Sequence, residues 1–213
     1  PVRGVDDGVA MAFKGVRYAA PPVGPLRFRA PQPPQPWTEP VDAGEFGKVC
    51  PQPPVPNFPM NLGAGQDEDC LYLNVWAPSG TAPGAGKPVM VWVHGGAYVL
   101  GSSSQPYYHG RRLAADGDVV VVTLNYRLGA FGFLDLPGFD TNVGLRDVVA
   151  ALRWVQSNIA AFGGDPGQIT VMGESAGGAI VAGLLAKEQS RTLIARAIIE
   201  SGPLEAQAAR KAG

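Results

Sequence analysis

The sequence predicts an α/β fold whose central sheet is mostly parallel. Several short apolar runs have the length and the branched or aromatic content of buried strands. Helical patterns separate the later runs, and strands that alternate with helices are typical of a parallel sheet. No internal repeat and no linker-like stretch divides the chain, so we expect one domain or part of one.

The predicted strands are short apolar segments at residues 71–76, 88–93, 118–124, 169–172 and 194–200. The segment 88–93 is apolar throughout, which is the pattern of a strand buried on both faces. Upstream of these strands, residues 1–30 alternate short β-like runs with turns. Residues 31–66 contain much of the proline and are therefore not expected to form regular structure.

Two helices are predicted. The first covers residues 145–162, where apolar residues recur at spacings of three and four. Its apolar positions are Leu145, Val148, Val149, Leu152, Val155, Ile159 and Phe162. Two glycines, Gly163 and Gly164, then end the pattern. The second helix is rich in small residues and is predicted from Ser175 to Ala186, shortly after the strand at 169–172.

Composition and charge exclude several classes of function. Of the 213 residues, 17 are basic and 18 are acidic, so the net charge does not draw the chain to nucleic acid or to an anionic membrane. No apolar run reaches the roughly 18 residues that a membrane-spanning helix needs. The histidines, His94 and His109, lack the cysteine or carboxylate spacing of a metal site, and no cofactor is predicted.

The segment Gly173–Gly177 matches the pattern G-x-S-x-G, in which a serine lies at a sharp turn between a strand and a helix. The short pattern alone is a weak signal, because the chain is rich in glycine. Its position is more informative, since it follows a predicted strand directly and opens a predicted helix. We therefore interpret Ser175 as a nucleophile rather than an ordinary surface serine, with the helix N-terminus directed at a developing oxyanion.

A second motif, His94-Gly95-Gly96-Ala97, follows the predicted strand that ends at Val93. A glycine-rich loop in this place can turn backbone N–H groups toward an oxyanion, and we interpret it in that way. The alternative is a simple turn at the end of the strand.

Six sequence blocks together resemble the type-B carboxylesterase family, which includes cholinesterase-like and bacterial p-nitrobenzyl-esterase-like enzymes. The blocks are Phe13–Ala19, Glu68–Trp76, His94–Ala97, Asn125–Leu134, Phe162–Pro166 and Gly173–Gly178. They extend over nearly the whole chain. The resemblance implies an α/β-hydrolase fold with a nucleophile elbow, and residues 1–213 would be the N-terminal part of a single domain.

The resemblance also implies roles for individual residues. Ser175 corresponds to the acylated nucleophile, while Glu174 and Ser201 lie where the family places supporting polar residues. The implied oxyanion hole consists of the backbone N–H groups of Gly96, Ala97 and Ala176. The implied pairs are a disulfide between Cys50 and Cys70 and two structural ion pairs, Arg27–Glu68 and Arg127–Asp147.

The catalytic partners of the serine are missing from the chain. Acyl transfer needs a base to accept the serine proton and an acid to orient the base. In this fold both follow the serine along the chain, yet no histidine follows Ser175. His94 belongs to the glycine-rich loop and is expected to support it, and His109 is expected on a surface helix.

Three explanations of the missing base differ in kind. The preferred one is the N-terminal part of a serine carboxylesterase whose acid and base come from a C-terminal segment or a second chain. The second is a non-catalytic, cholinesterase-like module for binding or adhesion. The third is a stand-alone hydrolase that uses His94 as its base. The intact serine and glycine-rich motifs argue against the second, and the order rule argues against the third.

The sequence constrains the substrate and the compartment only broadly. Between Cys50 and Cys70 there is Phe58 but no tryptophan, so the aromatic platform that choline esterases use for a quaternary ammonium is missing. A carboxylic ester of broad, fairly apolar character is expected. Candidates for lining its access route are Tyr98, Tyr107 and Tyr108. A disulfide would imply a secreted or periplasmic protein, whereas two buried free thiols would be compatible with the bacterial cytoplasm.

Overall fold

A computed structural model describes residues 1–56 and 59–202 of the chain. The strands are β1 (Val2–Arg3), β2 (Val5–Asp6), β3 (Ala10–Arg17), β4 (Val41–Asp42), β5 (Tyr72–Pro78), β6 (Lys87–Val93), β7 (Val120–Leu124), β8 (Gly164–Glu174) and β9 (Arg196–Glu200). The α-helices are α1 (Arg111–Gly117), α2 (Gly129–Phe133), α3 (Val143–Asn158), α4 (Ala176–Leu185) and α5 (Glu188–Arg191). Short 3₁₀ helices lie at Gly24–Leu26, Pro106–Tyr108 and Ile159–Phe162.

Seven strands form one mixed sheet in the order β2-β3-β5-β7-β6-β8-β9. The pairings from β2 to β7 are antiparallel, and those from β7 through β6 and β8 to β9 are parallel. The parallel half carries the serine motif and follows the predicted alternation of strands and helices. The antiparallel half comes from the N-terminal β-like runs and β5, whose sequence patterns carry no signal of strand direction.

The predicted apolar runs form the centre of the sheet. All five residues of β7 are buried. Its neighbour β6 contributes Val89, Val91 and Val93, none of which is accessible to solvent. Fully burying a valine or leucine side chain contributes about 1.5–3 kcal/mol to the stability of the folded state. The buried pair of β6 and β7 therefore contributes strongly to the stability of the fold. The end of β6 and the start of the glycine-rich loop are therefore anchored firmly.

Both predicted helices are confirmed. α3 begins close to the predicted start, and the 3₁₀ turn Ile159–Phe162 continues it until Gly163, at a φ of 85°, ends the helical pattern. α4 begins at Ala176, directly after Ser175, and most of its residues are buried. The predicted surface helix around His109 is instead the short 3₁₀ turn Pro106–Tyr108, which ends just before this exposed histidine.

The proline-rich region behaves as its composition indicates. Its described residues contain only the short strand β4 and an isolated bridge between Val49 and Gln66. The disulfide between Cys50 and Cys70 is present, with 5.0 Å between the two Cα atoms. We call residues 50–70, which it closes, the disulfide loop. None of the helices in the described ranges is long and apolar enough to cross a membrane.

Candidate active site

Ser175 lies at a sharp turn between β8 and α4. Its backbone angles, a φ of 54° and a ψ of −121°, are ones that a residue with a side chain rarely adopts. Two hydrogen bonds fix the turn: the Ser175 N–H donates to the Glu200 carbonyl over 2.9 Å, and the Ser175 carbonyl accepts from the Ala179 N–H over 3.0 Å. The serine side chain thus stands at the junction of strand and helix, half-exposed to solvent.

The glycines around Ser175 are required by close backbone contacts. A Cβ atom at Gly173 would lie 2.6 Å from the carbonyl oxygen of Gly177. A Cβ atom at Gly177 would lie 2.1 Å from the Val93 carbonyl oxygen, at the end of β6. At Gly178 the nearest atom would be the Glu200 carbonyl oxygen, at 2.9 Å. The motif therefore lets α4 start directly against the ends of β6 and β9.

The glycine-rich loop leaves β6 and passes beside the serine; we call residues 94–101 the oxyanion loop. A Cβ atom at Gly95 would lie 3.2 Å from the Ser175 Cβ and 2.7 Å from the Glu174 Oε2. Gly96, Ala97 and Tyr98 then have φ values of 108°, 53° and 64°, so three consecutive residues turn in the left-handed sense. The turn is closed because the Gly96 carbonyl accepts the N–H groups of Val99 and Leu100, over 3.0 and 2.9 Å.

Three backbone N–H groups remain available beside this turn. Across residues 1–56 and 59–202, no hydrogen bond uses the N–H of Gly96 or of Ala97. Ala176 is the first residue of α4, and the first N–H groups of a helix have no acceptor within it. The helix dipole adds partial positive charge at the same place. The arrangement can therefore stabilise a negatively charged oxygen close to Ser175.

His94 is buried at the start of the oxyanion loop. Its ring stacks on Tyr126 with 4.5 Å between centroids, and the Tyr126 hydroxyl donates to the His94 carbonyl over 2.8 Å. Its Nδ1 lies 2.8 Å from the Gly95 carbonyl oxygen, which can only accept, so Nδ1 carries the proton. Burial lowers the pKa of His94 to about 4. A neutral, weakly basic ring held in this way fits a support for the loop, as predicted, and makes a poor general base.

The two predicted supporting residues lie in different environments. Glu174 ends β8, is half-buried and packs against Gly95. Ser201 follows β9 at a φ of 50° and is exposed, and it is linked to the turn through the backbone of Glu200. Among the described residues the structure thus places Glu174 directly beside the serine, and it gives Ser201 no hydrogen bond to the site.

The aromatic candidates are also separated. Tyr98 packs edge-on against Phe133, whereas Tyr107 is 70% exposed. Tyr108 packs on Trp92, and burial, assisted by Tyr107 and Glu174, raises the pKa of the Tyr108 hydroxyl to about 12. It therefore stays protonated near the serine turn. A lining role for these tyrosines stays a prediction.

Both predicted ion pairs are present. Arg27 and Glu68 form a two-point contact at the surface, with both distances at 2.6 Å. Arg127 and Asp147 form a buried one, at 2.8 and 2.7 Å. These pairs join segments that are distant in sequence and do not contact Ser175. Their role is structural, as predicted.

Two residues of the site's framework, Tyr126 and Gln52, are not predicted from the sequence. Tyr126 supports His94 by stacking and by a hydrogen bond to its carbonyl. Its only sequence signal is its position in one of the blocks that resemble the family. Gln52 of the disulfide loop binds the backbone of Gly101 at the end of the oxyanion loop. A glutamine two positions after a cysteine carries no sequence signal of such a contact. Within the described ranges, no cluster of histidine, cysteine or carboxylate side chains could hold a metal ion.

Comparisons with known proteins agree with this geometry. The chain is 51% identical to para-nitrobenzyl esterase of Bacillus subtilis (strain 168) over 206 residues, which cover 94% of the chain and 42% of that protein. It is 46% identical to phenmedipham hydrolase of Pseudarthrobacter oxydans, covering 95% of the chain and 41% of the relative. A solved structure of a thermophilic PNB esterase matches with a TM-score of 0.88 and 50% identity, covering 94% of the chain and 42% of that structure.

The chain therefore spans less than half the length of the relatives that it matches. The match with the solved esterases confirms the predicted α/β-hydrolase fold. The sequence model described as the carboxylesterase family matches residues 1–212. On this sequence match, the relatives and the shared fold, the chain belongs to the carboxylesterase family.

Proposed function

We propose that the chain is the N-terminal part of a serine carboxylesterase that forms an acyl-enzyme on Ser175. The single observation that carries this proposal is the strained serine beside three N–H groups for which the described residues offer no other acceptor. Backbone strain of this kind costs about 1–3 kcal/mol and persists where the surrounding structure enforces it, often at functional sites. A non-catalytic binding module has no use for either feature.

The reaction follows from the placement of the groups. The Ser175 oxygen attacks the carbonyl carbon of the ester, and the electron pair of the C=O bond moves to the carbonyl oxygen. The N–H groups of Gly96, Ala97 and Ala176 bind this oxyanion, and one such donor is worth about 3–4 kcal/mol in the transition state. When the C=O bond re-forms, the alcohol leaves with the proton that the base took from the serine. Water then hydrolyses the acyl-serine by the same steps.

The base and its acid come, in this proposal, from a segment that follows residue 213 or from a second chain. His94 is buried and weakly basic, and His109 is exposed, stacks on Trp76 and packs at a tilt against Phe46. No other histidine is present in the sequence. The relatives are more than twice as long as the matched region, which leaves ample length for both groups.

A chimaera tests the proposal. In it, residues 1–213 replace the matching N-terminal part of the B. subtilis para-nitrobenzyl esterase. The chimaera should hydrolyse p-nitrophenyl acetate, and the chain alone should be slower by a factor of about 10⁶, because loss of the base abolishes triad catalysis. A serine-directed phosphonate should label Ser175 in the chimaera, and Ser175→Ala should abolish the labelling. A chain that turns over esters equally well alone would overturn the proposal.

We also propose an uncharged, fairly apolar carboxylic ester as substrate. The name of one relative, para-nitrobenzyl esterase, points to an uncharged aromatic ester. Phe58, the aromatic residue noted in the disulfide loop, lies outside the described residues. A panel comparing p-nitrophenyl acetate and butyrate with acetylthiocholine checks this proposal, which expects kcat/KM to be higher for the uncharged esters.

The disulfide supports folding in an oxidising compartment, such as the periplasm or the cell exterior. A disulfide that closes a loop of this length stabilises by about 3 kcal/mol and persists where thiols are not kept reduced. Alkylation of the protein isolated from its native cells, followed by mass spectrometry, should find both cysteines blocked until a reductant is added.

A further inference from the structure

Gln52, in the disulfide loop, grips the end of the oxyanion loop. Its side-chain carbonyl accepts the Gly101 N–H over 2.8 Å, and its side-chain NH₂ donates to the Gly101 carbonyl over 2.9 Å. The same NH₂ donates to the Cys50 carbonyl over 3.0 Å. The side-chain amide thus pairs with both backbone groups of Gly101, as a neighbouring strand would, and ties them to the disulfide.

Gly101 in turn packs against the start of the oxyanion loop. It has a φ of 104°, and a Cβ atom there would lie 2.6 Å from the His94 Nδ1 and 2.9 Å from the Gly95 carbonyl oxygen. Hydrogen bonds from Val99 and Leu100 to the Gly96 carbonyl close the turn between these ends. The N-terminal end of the loop is fixed because it continues β6. The hydrogen bonds from Gln52 to Gly101 fix its C-terminal end.

The residues after Gly101 are anchored separately. The hydroxyls of Ser102 and Ser104 both donate to the Leu62 carbonyl over 2.6 Å, and the Ser103 N–H donates to the Asn125 side chain over 2.9 Å. These contacts hold the buried segment 102–104, but they do not touch the oxyanion loop. In the described part of the chain, Gln52 provides the side-chain hydrogen bonds from the disulfide loop to the oxyanion loop.

We propose that Gln52 is a positioning residue for the oxyanion hole, holding the N–H groups of Gly96 and Ala97 in place through Gly101. This inference rests on the proposed esterase function. Oxyanion donors act at distances of about 2.7–3.1 Å from the developing charge, so a loosened loop weakens binding of the transition state more than binding of the substrate.

The kinetic test is Gln52→Met in the chimaera, because methionine keeps the length of the side chain and loses its hydrogen bonds. We expect kcat for p-nitrophenyl acetate to fall about tenfold, less than the loss of a whole donor, with KM within about twofold of the unsubstituted value. The inhibition constant of a trifluoromethyl ketone, which mimics the oxyanion, should rise by the same factor as kcat/KM falls.

The control is Gln32→Met, the same substitution at a surface glutamine. The Gln32 side chain is exposed and donates to the Ala30 carbonyl over 3.2 Å, and it does not contact the oxyanion loop. This variant should leave kcat and the inhibition constant unchanged. Equal effects of the two substitutions, or a change in KM alone for Gln52→Met, would overturn the inference.

A second measurement separates this inference from the proposed function. Hydrogen exchange on the 213-residue chain follows the N–H groups of Val99 and Leu100, and that of Gly129, which donates to the Tyr98 carbonyl. Gln52→Met should speed their exchange, and the surface substitution Gln32→Met should not. If the unsubstituted chimaera hydrolyses no ester, the proposed function fails, and exchange alone decides whether Gln52 holds the loop. Unchanged exchange would refute the role of Gln52.

Discussion

Single residues at the serine turn combine strain with very close packing. Ser175 adopts unfavourable backbone angles, and the hydrogen bond from its N–H to Glu200 helps to hold it there. Gly177 touches the end of β6 so closely that no side chain fits. The same contacts place Ser175 directly before the first N–H groups of α4. The hydrogen bonds and the close packing therefore hold Ser175 in one strained geometry.

Gly177→Ala tests this packing. The added methyl would lie 2.1 Å from the Val93 carbonyl and 2.8 Å from the His94 carbonyl, and neither backbone group can move without distorting β6. We expect a loss of about 3 kcal/mol in the free energy of unfolding, at the upper end of overpacking effects. Urea unfolding of the chimaera measures it. Gly65→Ala is the control, since the nearest atom there is the flexible Lys48 Nζ at 3.5 Å. Equal midpoints for the two variants would contradict the packing argument.

His94 makes stability depend on pH. Burial lowers the pKa of His94 from 6.5 to about 4. Between about pH 4 and pH 6.5 the unfolded chain therefore binds a proton at this residue that the folded protein does not bind. The free energy of unfolding should therefore fall as the pH falls through this window, by about 1.4 kcal/mol per pH unit from this residue. Urea midpoints of the chimaera across the window should show a weaker pH dependence for His94→Asn. A surface substitution without a titratable group, Gln32→Asn, should retain the full dependence.

At the scale of elements, the buried ion pair joins β7 to α3. Arg127 follows the end of β7, and its backbone N–H and guanidinium all bind Asp147 within α3. Neither side chain has appreciable contact with solvent, at 3% and 0% exposed. Removing one partner of such a pair leaves an uncompensated buried charge, which is costly. The pair therefore fixes where α3 lies on the sheet.

Asp147→Asn should destabilise the chimaera by about 3–5 kcal/mol, because the buried Arg127 loses its counter-charge. The exposed pair offers the comparison: Glu68→Gln should cost less than about 1 kcal/mol, since water screens Arg27, whose side chain is 45% exposed. Thermal unfolding of the two variants measures the difference. Similar shifts in Tm for the two variants would contradict the argument that burial makes the Arg127–Asp147 pair costly to break.

At the scale of the whole molecule, the sequence predicts the parts that depend on local pattern. Apolar runs, a long amphipathic period and glycines around a serine locate β6, β7, α3 and the serine turn. Strand direction in the N-terminal half depends on long-range pairing, which leaves no local pattern in β3 or β5. The hydrogen bonds between Gln52 and Gly101 likewise connect residues that lie 49 positions apart in the sequence, and only folding brings them together.

β9 is the edge strand of the described sheet, and its side chains are open to solvent. Ile198 and Ile199 point to opposite faces of the strand and each is 40% exposed, so within the described residues both faces stay partly open. A parallel strand with both faces open is unusual and promotes self-association. If the chain is the N-terminal part of a longer esterase, as proposed above, a further segment should cover β9.

The double substitution Ile198→Lys with Ile199→Lys should therefore act in opposite directions in two contexts. In the chain alone it should reduce self-association, measured by light scattering after size-exclusion chromatography, because charged edges resist pairing. In the chimaera it should lower stability by several kcal/mol, roughly the cost of burying unpaired charge, and reduce the soluble yield. Leu113→Lys, on the exposed face of α1, is the control and should change neither. A chimaera that tolerates the two lysines would mean that β9 stays uncovered, because lysine at an exposed edge costs little.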